Sequence, residues 1–302
     1  MRSGLDYKFV EEYSLDRQQI ESIENDSQNT LVVAGAGTGK TTTIIGKIKW
    51  ILNKWLKNKS EALPRILVIS FTHATRVELE KRILAEVLKN DEIFKIYHAS
   101  DFLRVETFHS LALKIMRSAK QNKRAGPEKI KLSEISFEDF LKQDRFDIPE
   151  EEVEVYDRLY YLIRNYHIKY QDLKQTNGTE YPWFWQKELR IINLKQIQKM
   201  EELGREYTKE MASRDEVDFA GFLEEAIKSL SSIKDEARPE WFKTFCFDFV
   251  IIDEYQDMSP LEYALIRNLR EKQNFNLFCV GDDWQTIYQF AGSEIDLILD
   301  FK

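Results

Sequence analysis

The sequence has little cysteine, no long hydrophobic run and no excess of positive charge. Only two of its 302 residues are cysteine. Cys246 and Cys279 both lie in apolar runs, and neither belongs to a Cys-x-x-Cys pair or sits near a histidine cluster, which argues against a disulfide scaffold and against a zinc site. Nothing approaches the ~18 continuous apolar residues of a membrane span, and Met1 to Glu12 contain no apolar leader segment, so the expected location is cytoplasmic. Lysine plus arginine number 44 against 52 aspartate plus glutamate, a net charge of −8. Bulk positive charge therefore cannot drive a coating of nucleic acid, and only a local groove is open to such a ligand. Repeats with a period of 20–50 residues and low-complexity tracts are absent, which sets aside solenoids and propellers.

What is present is the composition of a folded protein, 43% apolar and 32% charged. The length predicts about two domains. Continuously apolar, β-branched runs at Thr30–Ala34, Ile66–Ser70, Phe249–Asp253 and Leu277–Gly281 predict strands buried on both faces of a parallel sheet. Helical spacing follows the first, with Ile44, Ile45, Ile48, Ile51 and Leu52 between Thr41 and Lys57, and follows the second from about Ala74 to Leu88. Strand then helix, repeated, is an α/β pattern. From about Met116 to Tyr207 the periodicity is helical and no buried strand is evident, so this stretch is expected to be an inserted helical domain. The resulting division is 1–116 with 208–302 for the α/β domain and 117–207 for the insertion.

The first chemical signal is Ala34-Gly35-Ala36-Gly37-Thr38-Gly39-Lys40-Thr41-Thr42, placed between an apolar strand and a helix. Its glycines let successive backbone N–H groups and the helix N-terminus converge on phosphate oxygens, Lys40 reaches the β- and γ-phosphates, and the Thr41 hydroxyl suits magnesium. The bare pattern arises by chance in roughly one chain of this length in forty on average residue usage; the strand before it and the helix after it make it specific.

The second signal is Asp253-Glu254-Tyr255-Gln256-Asp257, at the carboxyl end of a predicted strand, where ligands of open α/β sheets bind. Asp253 is placed to hold a magnesium shell and Glu254 to deprotonate an attacking water. Strand side chains alternate, so two adjacent acids share one site only if the strand ends or bends there. A third segment, Gly281-Asp282-Asp283-Trp284-Gln285-Thr286-Ile287-Tyr288-Gln289-Phe290-Ala291-Gly292, again follows a predicted strand. It offers Gln285 to a γ-phosphate or water and its aromatics to a second ligand.

These three segments resemble motifs I, II and III of superfamily I DNA helicases of the UvrD/Rep type, in that family's order, and the third is similar to that of bacterial helicase IV. Leu15-Asp16-Arg17-Gln18-Gln19 resembles the family's Q-motif, Ser70-Phe71-Thr72-His73-Ala74 motif Ia, Thr107-Phe108-His109-Ser110-Leu111-Ala112 motif Ib, and Val217-Asp218-Phe219 the motif that follows the inserted domain. The resemblance implies a RecA-like P-loop domain that uses ATP and magnesium. It implies that Gln19 reads the adenine edge, that Lys40, Thr41 and the surrounding loop hold phosphate and metal, and that Asp253, Glu254 and Gln285 serve metal, water and γ-phosphate. It further implies a single-strand DNA track along Phe71, Thr72, His73, Thr107, His109, Tyr288 and Phe290, with Phe290 where relatives often carry a stacking tryptophan. His73 and Ala74 replace the Asn and Lys common in motif Ia, so one phosphate contact of the family is expected to be missing.

Motifs IV to VI, which in the family bring arginines from a second RecA-like lobe, have no counterpart in these residues. The expectation is the ATP-binding lobe of a 3′→5′ helicase acting on single-stranded DNA and its junctions with duplex, poorly active without the second lobe. A motor subunit working with a nuclease in repair or phage defence, and a nucleotide-gated binding module that never cycles, are the alternatives. The aromatic cluster Tyr181-Pro182-Trp183-Phe184-Trp185 reads as core of the insertion, and the basic stretch from Lys114 to Lys131 as a solvated face.

Overall fold

A computed structural model of the chain describes residues 5–58, 62–89, 97–121, 131–165, 194–234 and 238–282. A short hairpin comes first, β1 (Phe9–Val10) and β2 (Tyr13–Ser14), followed by α1 (Arg17–Glu24), β3 (Asn29–Val33) and α2 (Lys40–Asn58). The chain continues through β4 (Ile66–Ile69), α3 (His73–Val87), α4 (Ala99–Phe102), β5 (Leu103–Glu106) and α5 (Phe108–Gln121). Then come β6 (Lys131–Leu132), α6 (Phe137–Leu141), α7 (Glu150–Asn165), α8 (Leu194–Ser213), β7 (Glu216–Val217) and α9 (Phe219–Ser231). The last described elements are β8 (Phe249–Ile252), α10 (Pro260–Lys272) and β9 (Asn276–Gly281).

Five strands form one parallel sheet in the order β3-β9-β8-β4-β5. This is the α/β arrangement expected from the strand-helix alternation, and it is the RecA-like one that the family resemblance implies. The period of two sorts its residues onto two cores. Leu67, Ile69, Val250, Ile252, Leu277 and Cys279 face a cluster built with α5, α9 and α10. Ile66, Val68, Ile251, Phe278 and Val280 face a second cluster built with α2 and α3. Both faces being covered explains why these strands are uninterrupted apolar runs. β3 departs from the expectation of burial on both faces: among the described strands it lies at the edge of the sheet, and Val33 is 53% exposed.

The fifth strand, Leu103-Arg104-Val105-Glu106, was not expected, because a charged residue at every second position hides its apolar half. Arg104 lies along Phe245 and Phe247, and Glu106 is buried against Ser110 and Lys114. A third cluster is made wholly of residues from 137 to 211, with Phe137, Phe140, Tyr156, Tyr160, Met200 and Tyr207 at its centre. Helices α5 and α8 run continuously through residues 116 and 207 respectively. Both cysteines are free thiols, and Cys279 is buried in β9.

Candidate functional site

The loop after β3 turns on two glycines with positive φ, Gly37 at 73° and Gly39 at 87°, a conformation that L side chains rarely adopt. The Thr38 hydroxyl donates to the Gly35 carbonyl at 2.7 Å and closes the turn. The loop leads into α2 at Lys40, so the first turn of a nineteen-residue helix presents its free N–H groups there. Gly35, Ala36, Gly37 and Thr38 are exposed, whereas Ala34, Gly39, Thr41 and Thr42 are half-buried.

β8 delivers the acids. Asp253 still donates its N–H to the Ile69 carbonyl of the neighbouring strand at 2.9 Å, but Glu254 adopts the left-handed region at φ 49°. The chain thus breaks from the sheet between the two acids, which lets neighbouring carboxylates reach one cleft. Glu254 Oε2 receives hydrogen bonds from Lys40 Nζ at 2.7 Å and Gln256 Nε2 at 2.8 Å. Burial first, and then the neighbouring Glu254 charge, push the Asp253 carboxyl up to about 6. The same two causes raise Asp257 to about 6, and its Oδ1 is buried without a hydrogen-bond partner.

A cleft of about 320 Å³ joins these groups, lined by Thr41, Asp253, Glu254 and Asp257 together with Phe71, Thr72 and Arg82. Phe71 and Thr72, expected on the DNA track, therefore stand beside the acids. Thr72 caps α3: its hydroxyl accepts from the Thr75 N–H, and the Thr75 hydroxyl accepts from the Thr72 N–H, both at 3.1 Å. His73 is exposed on the first turn of that helix.

Gln19 sits against the loop from the other side. Its side chain accepts from the Asp16 N–H at 3.0 Å in a capping box and donates to the Thr38 carbonyl at 3.2 Å. A Cβ at Gly39 would come within 2.6 Å of its amide nitrogen and push that amide aside, while the φ of 87° itself favours glycine.

Thr107 caps α5, its hydroxyl accepting from the Ser110 N–H at 3.1 Å. His109 packs edge-on against Phe219, with ring centroids 5.2 Å apart. Burial holds its imidazole below the ordinary range, so the ring is neutral at pH 7. Gln285, Tyr288 and Phe290 lie outside the described residues, as does the aromatic cluster at 181–185.

Some residues at these sites carried no role in the sequence reading. Gln256 was quoted only as part of an acidic run, yet its Nε2 holds Glu254 and its Oε1 accepts from the Asp282 N–H at 2.9 Å, joining the ends of β8 and β9. Phe219 is 55% exposed beside His109. Arg82 enters the cleft from α3, paired through Nε and Nη2 with Glu11 at 2.7 and 2.9 Å. The single signal for Arg82 is helical spacing: it stands on α3 two turns beyond Thr75 and one turn beyond Leu79, which also line the cleft.

Comparison with known proteins agrees with this geometry. The family model of the UvrD/REP helicase N-terminal domain matches residues 15–302. DNA helicase IV of Escherichia coli (strain K12) is 27% identical over 98% of this chain and 44% of its own length. ATP-dependent DNA helicase PcrA of Staphylococcus aureus (strain Mu50 / ATCC 700699) is 24% identical over 95% of this chain and 36% of its own length. The chain thus spans less than half the length of these relatives, and with its phosphate loop, acidic strand end and parallel sheet it belongs to the UvrD/REP helicase N-terminal domain family.

Proposed function

We propose that this chain is the ATP-binding lobe of a DNA helicase or translocase that couples ATP hydrolysis to 3′→5′ movement on single-stranded DNA. The observation that carries the reading is the meeting of Lys40 and Thr41 with Asp253 and Glu254 in a cleft that Phe71 and Thr72 also line. Nucleotide chemistry and the first residues of a candidate DNA track share one wall.

In this reading the loop N–H groups and the α2 N-terminus bind the phosphates, and Gln19 meets the adenine. Lys40 exchanges its partner, from Glu254 to a phosphate oxygen. Glu254 is then free to take a proton from the attacking water, held in place by Gln256. Magnesium fits the donor set: a hydroxyl at Thr41 and a carboxylate at Asp253 are hard oxygen ligands, and the buried Oδ1 of Asp257 in the same cleft has no hydrogen-bond partner. When bound, the metal neutralises charge on the β- and γ-phosphates. Gln285 would sense the γ-phosphate, while Thr107, His109, Tyr288 and Phe290 would continue the track beyond Phe71, Thr72 and His73. Phe219 adds an exposed ring to it, suited to stacking without sequence readout.

We take 1–116 with 208–302 as the nucleotide-binding unit and 117–207 as the insertion, supported by the separate aromatic cluster between residues 137 and 211. A second RecA-like lobe, in the same polypeptide or another chain, would supply arginines to the transferring phosphoryl group. Such groups are worth about 10³–10⁵ in turnover, so these residues alone are expected to hydrolyse ATP slowly. The family's work on DNA and the intact Lys40, Asp253 and Glu254 favour a cycling motor over a static module; a nuclease partner is compatible with it.

The test is single-strand-stimulated ATP hydrolysis by the full-length protein against its Glu254→Gln variant. A fall of about 10²–10⁴-fold is expected on loss of a general base. Equal rates would overturn the mechanism.

A further inference from the structure

The phosphate loop and the Gln19 helix are joined by a buried lysine. Lys47 is 4% exposed, two turns along α2 from Lys40 and so on the same face of the helix. Its ammonium donates to the Ile23 and Asn25 carbonyls, each at 2.8 Å. These are carbonyls at the C-terminal end of α1, where the helix leaves its acceptors without intrahelical partners and where positive charge is favoured. The ammonium also lies 4.1 Å from the centroid of the Trp50 ring and 5.2 Å from that of Phe278, which supply the rest of its coordination. Burial pushes the group down to about 8, with Asp26 pulling it back up and Lys54 adding to the depression, so it remains charged at neutral pH.

The same helix pair touches at Gly46, where a Cβ would come within 2.6 Å of Ile23 Cδ1. At its other end α1 carries Gln19, whose amide donates to the Thr38 carbonyl of the phosphate loop. Helix α1 has eight residues, about 12 Å, too short to be stable alone, so its position is set by what it docks on. Both docking points belong to α2 and the loop that begins it.

We propose that Lys47 is a positioning residue for the nucleotide site: by clamping the C-terminal end of α1 it fixes the reach of Gln19 over the phosphate loop and thereby sets the preference for adenine. This rests on the reading of Gln19 as the adenine-facing group. Lys47 touches no substrate in this scheme. Its effect passes through the helix, and it should appear in base selectivity rather than in phosphate binding.

The experiment is equilibrium titration of the full chain with ATP and with GTP, for wild type, Lys47→Met, Lys47→Arg, Gln19→Ala and the Lys47→Met/Gln19→Ala double variant, each checked by thermal melting. Lys47→Met is expected to weaken ATP on the order of fivefold to tenfold, the worth of about one hydrogen bond, while GTP changes little. Lys47→Arg, which keeps the cation, should recover part of the selectivity. The double variant should be no worse than Gln19→Ala, because the two act through one contact. Equal weakening of ATP and GTP by folded Lys47→Met, or additive losses in the double variant, would overturn the proposal. If Lys47→Met melts below the assay temperature, Gly46→Ala carries the same test, since its methyl crowds Ile23 Cδ1 and Leu15 Cδ1 at the α1 docking point while leaving Lys47 in place. A wild type that binds ATP without preferring it to GTP, with Gln19→Ala unchanged, would overturn the adenine role of Gln19 and this inference with it. Wild-type selectivity that survives a folded Lys47→Met overturns only the inference.

Discussion

Lys40 and Glu254 form an ion pair of 2.7 Å across 214 residues of chain, from the first residue of α2 to the break after β8. The lysine is nearly enclosed while the carboxylate is about one-third exposed, and on the proposed function the pair must open before a triphosphate can take the lysine. Glu254→Gln removes that competition. ATP affinity is expected to rise by about twofold to fivefold, the worth of a partly exposed pair, as turnover falls. Equilibrium binding of ATP to the variant measures the first quantity independently of the second.

The exposed ring of Phe219 should contribute to single-strand affinity by stacking. Phe219→Ala is expected to cost about 1–3 kcal/mol in binding oligo-dT. Because His109 beside it is neutral and Phe219 carries no charge, the slope of affinity against salt should stay at its wild-type value. Titrations at several salt concentrations separate the two terms, and a changed slope would show that phosphate contacts had moved.

Arg164, on α7, binds Glu224 on α9 through Nε and Nη2 at 3.0 and 2.6 Å, pairs with Asp218, and donates to the Tyr160 hydroxyl at 2.7 Å. Asp218 is the N-cap of α9, accepting from the Gly221 N–H at 2.7 Å, so one guanidinium ties the aromatic cluster of residues 137–211 to the helix behind the sheet. Arg164→Ala leaves a buried carboxylate at Asp218 without its cation. A loss of about 3 kcal/mol in unfolding free energy is expected from denaturant titration. Arg164→Lys should recover little of it, since an ammonium cannot reproduce the two-pronged contact.

Glu262 is buried in the first turn of α10, accepting from the Ser259 N–H at 2.9 Å, and burial pushes its carboxyl up to about 7. The folded state therefore holds a proton that the unfolded chain releases near the ordinary glutamate value. The stability this contributes is fully present below that ordinary value and is lost as pH rises through about 7. Wild-type stability should thus decline between roughly pH 4.5 and 7 relative to Glu262→Gln, which keeps the acceptor for Ser259 and cannot ionise. Melting curves of both proteins across that range check the sign; parallel profiles would refute it.

The parallel sheet was legible in the sequence because strands covered on both faces are unbroken apolar runs, and the phosphate loop because a glycine-rich turn between strand and helix has few other uses. The missed strand, β5, alternates apolar with charged residues, and only its neighbours show why: Arg104 stacks on phenylalanines from another segment, and Glu106 is neutralised by Lys114. Adjacent acids at the end of β8 implied a break in the strand, and the left-handed Glu254 is that break.

Local sequence determined the elements, their order and the residue types of the nucleotide site, since periodicity and turn chemistry act over a few residues. Only the tertiary structure decided which side chains hold the site in shape. Gln256 bridges two strand ends, Arg82 reaches the cleft while tied to a hairpin 71 residues away, and Lys47 caps a helix that precedes it. Each of these is a hydrogen bond or ion pair between groups distant in the chain, and such contacts leave no periodic trace. They form because burying an amide, a guanidinium or an ammonium is costly unless the fold brings partners to it.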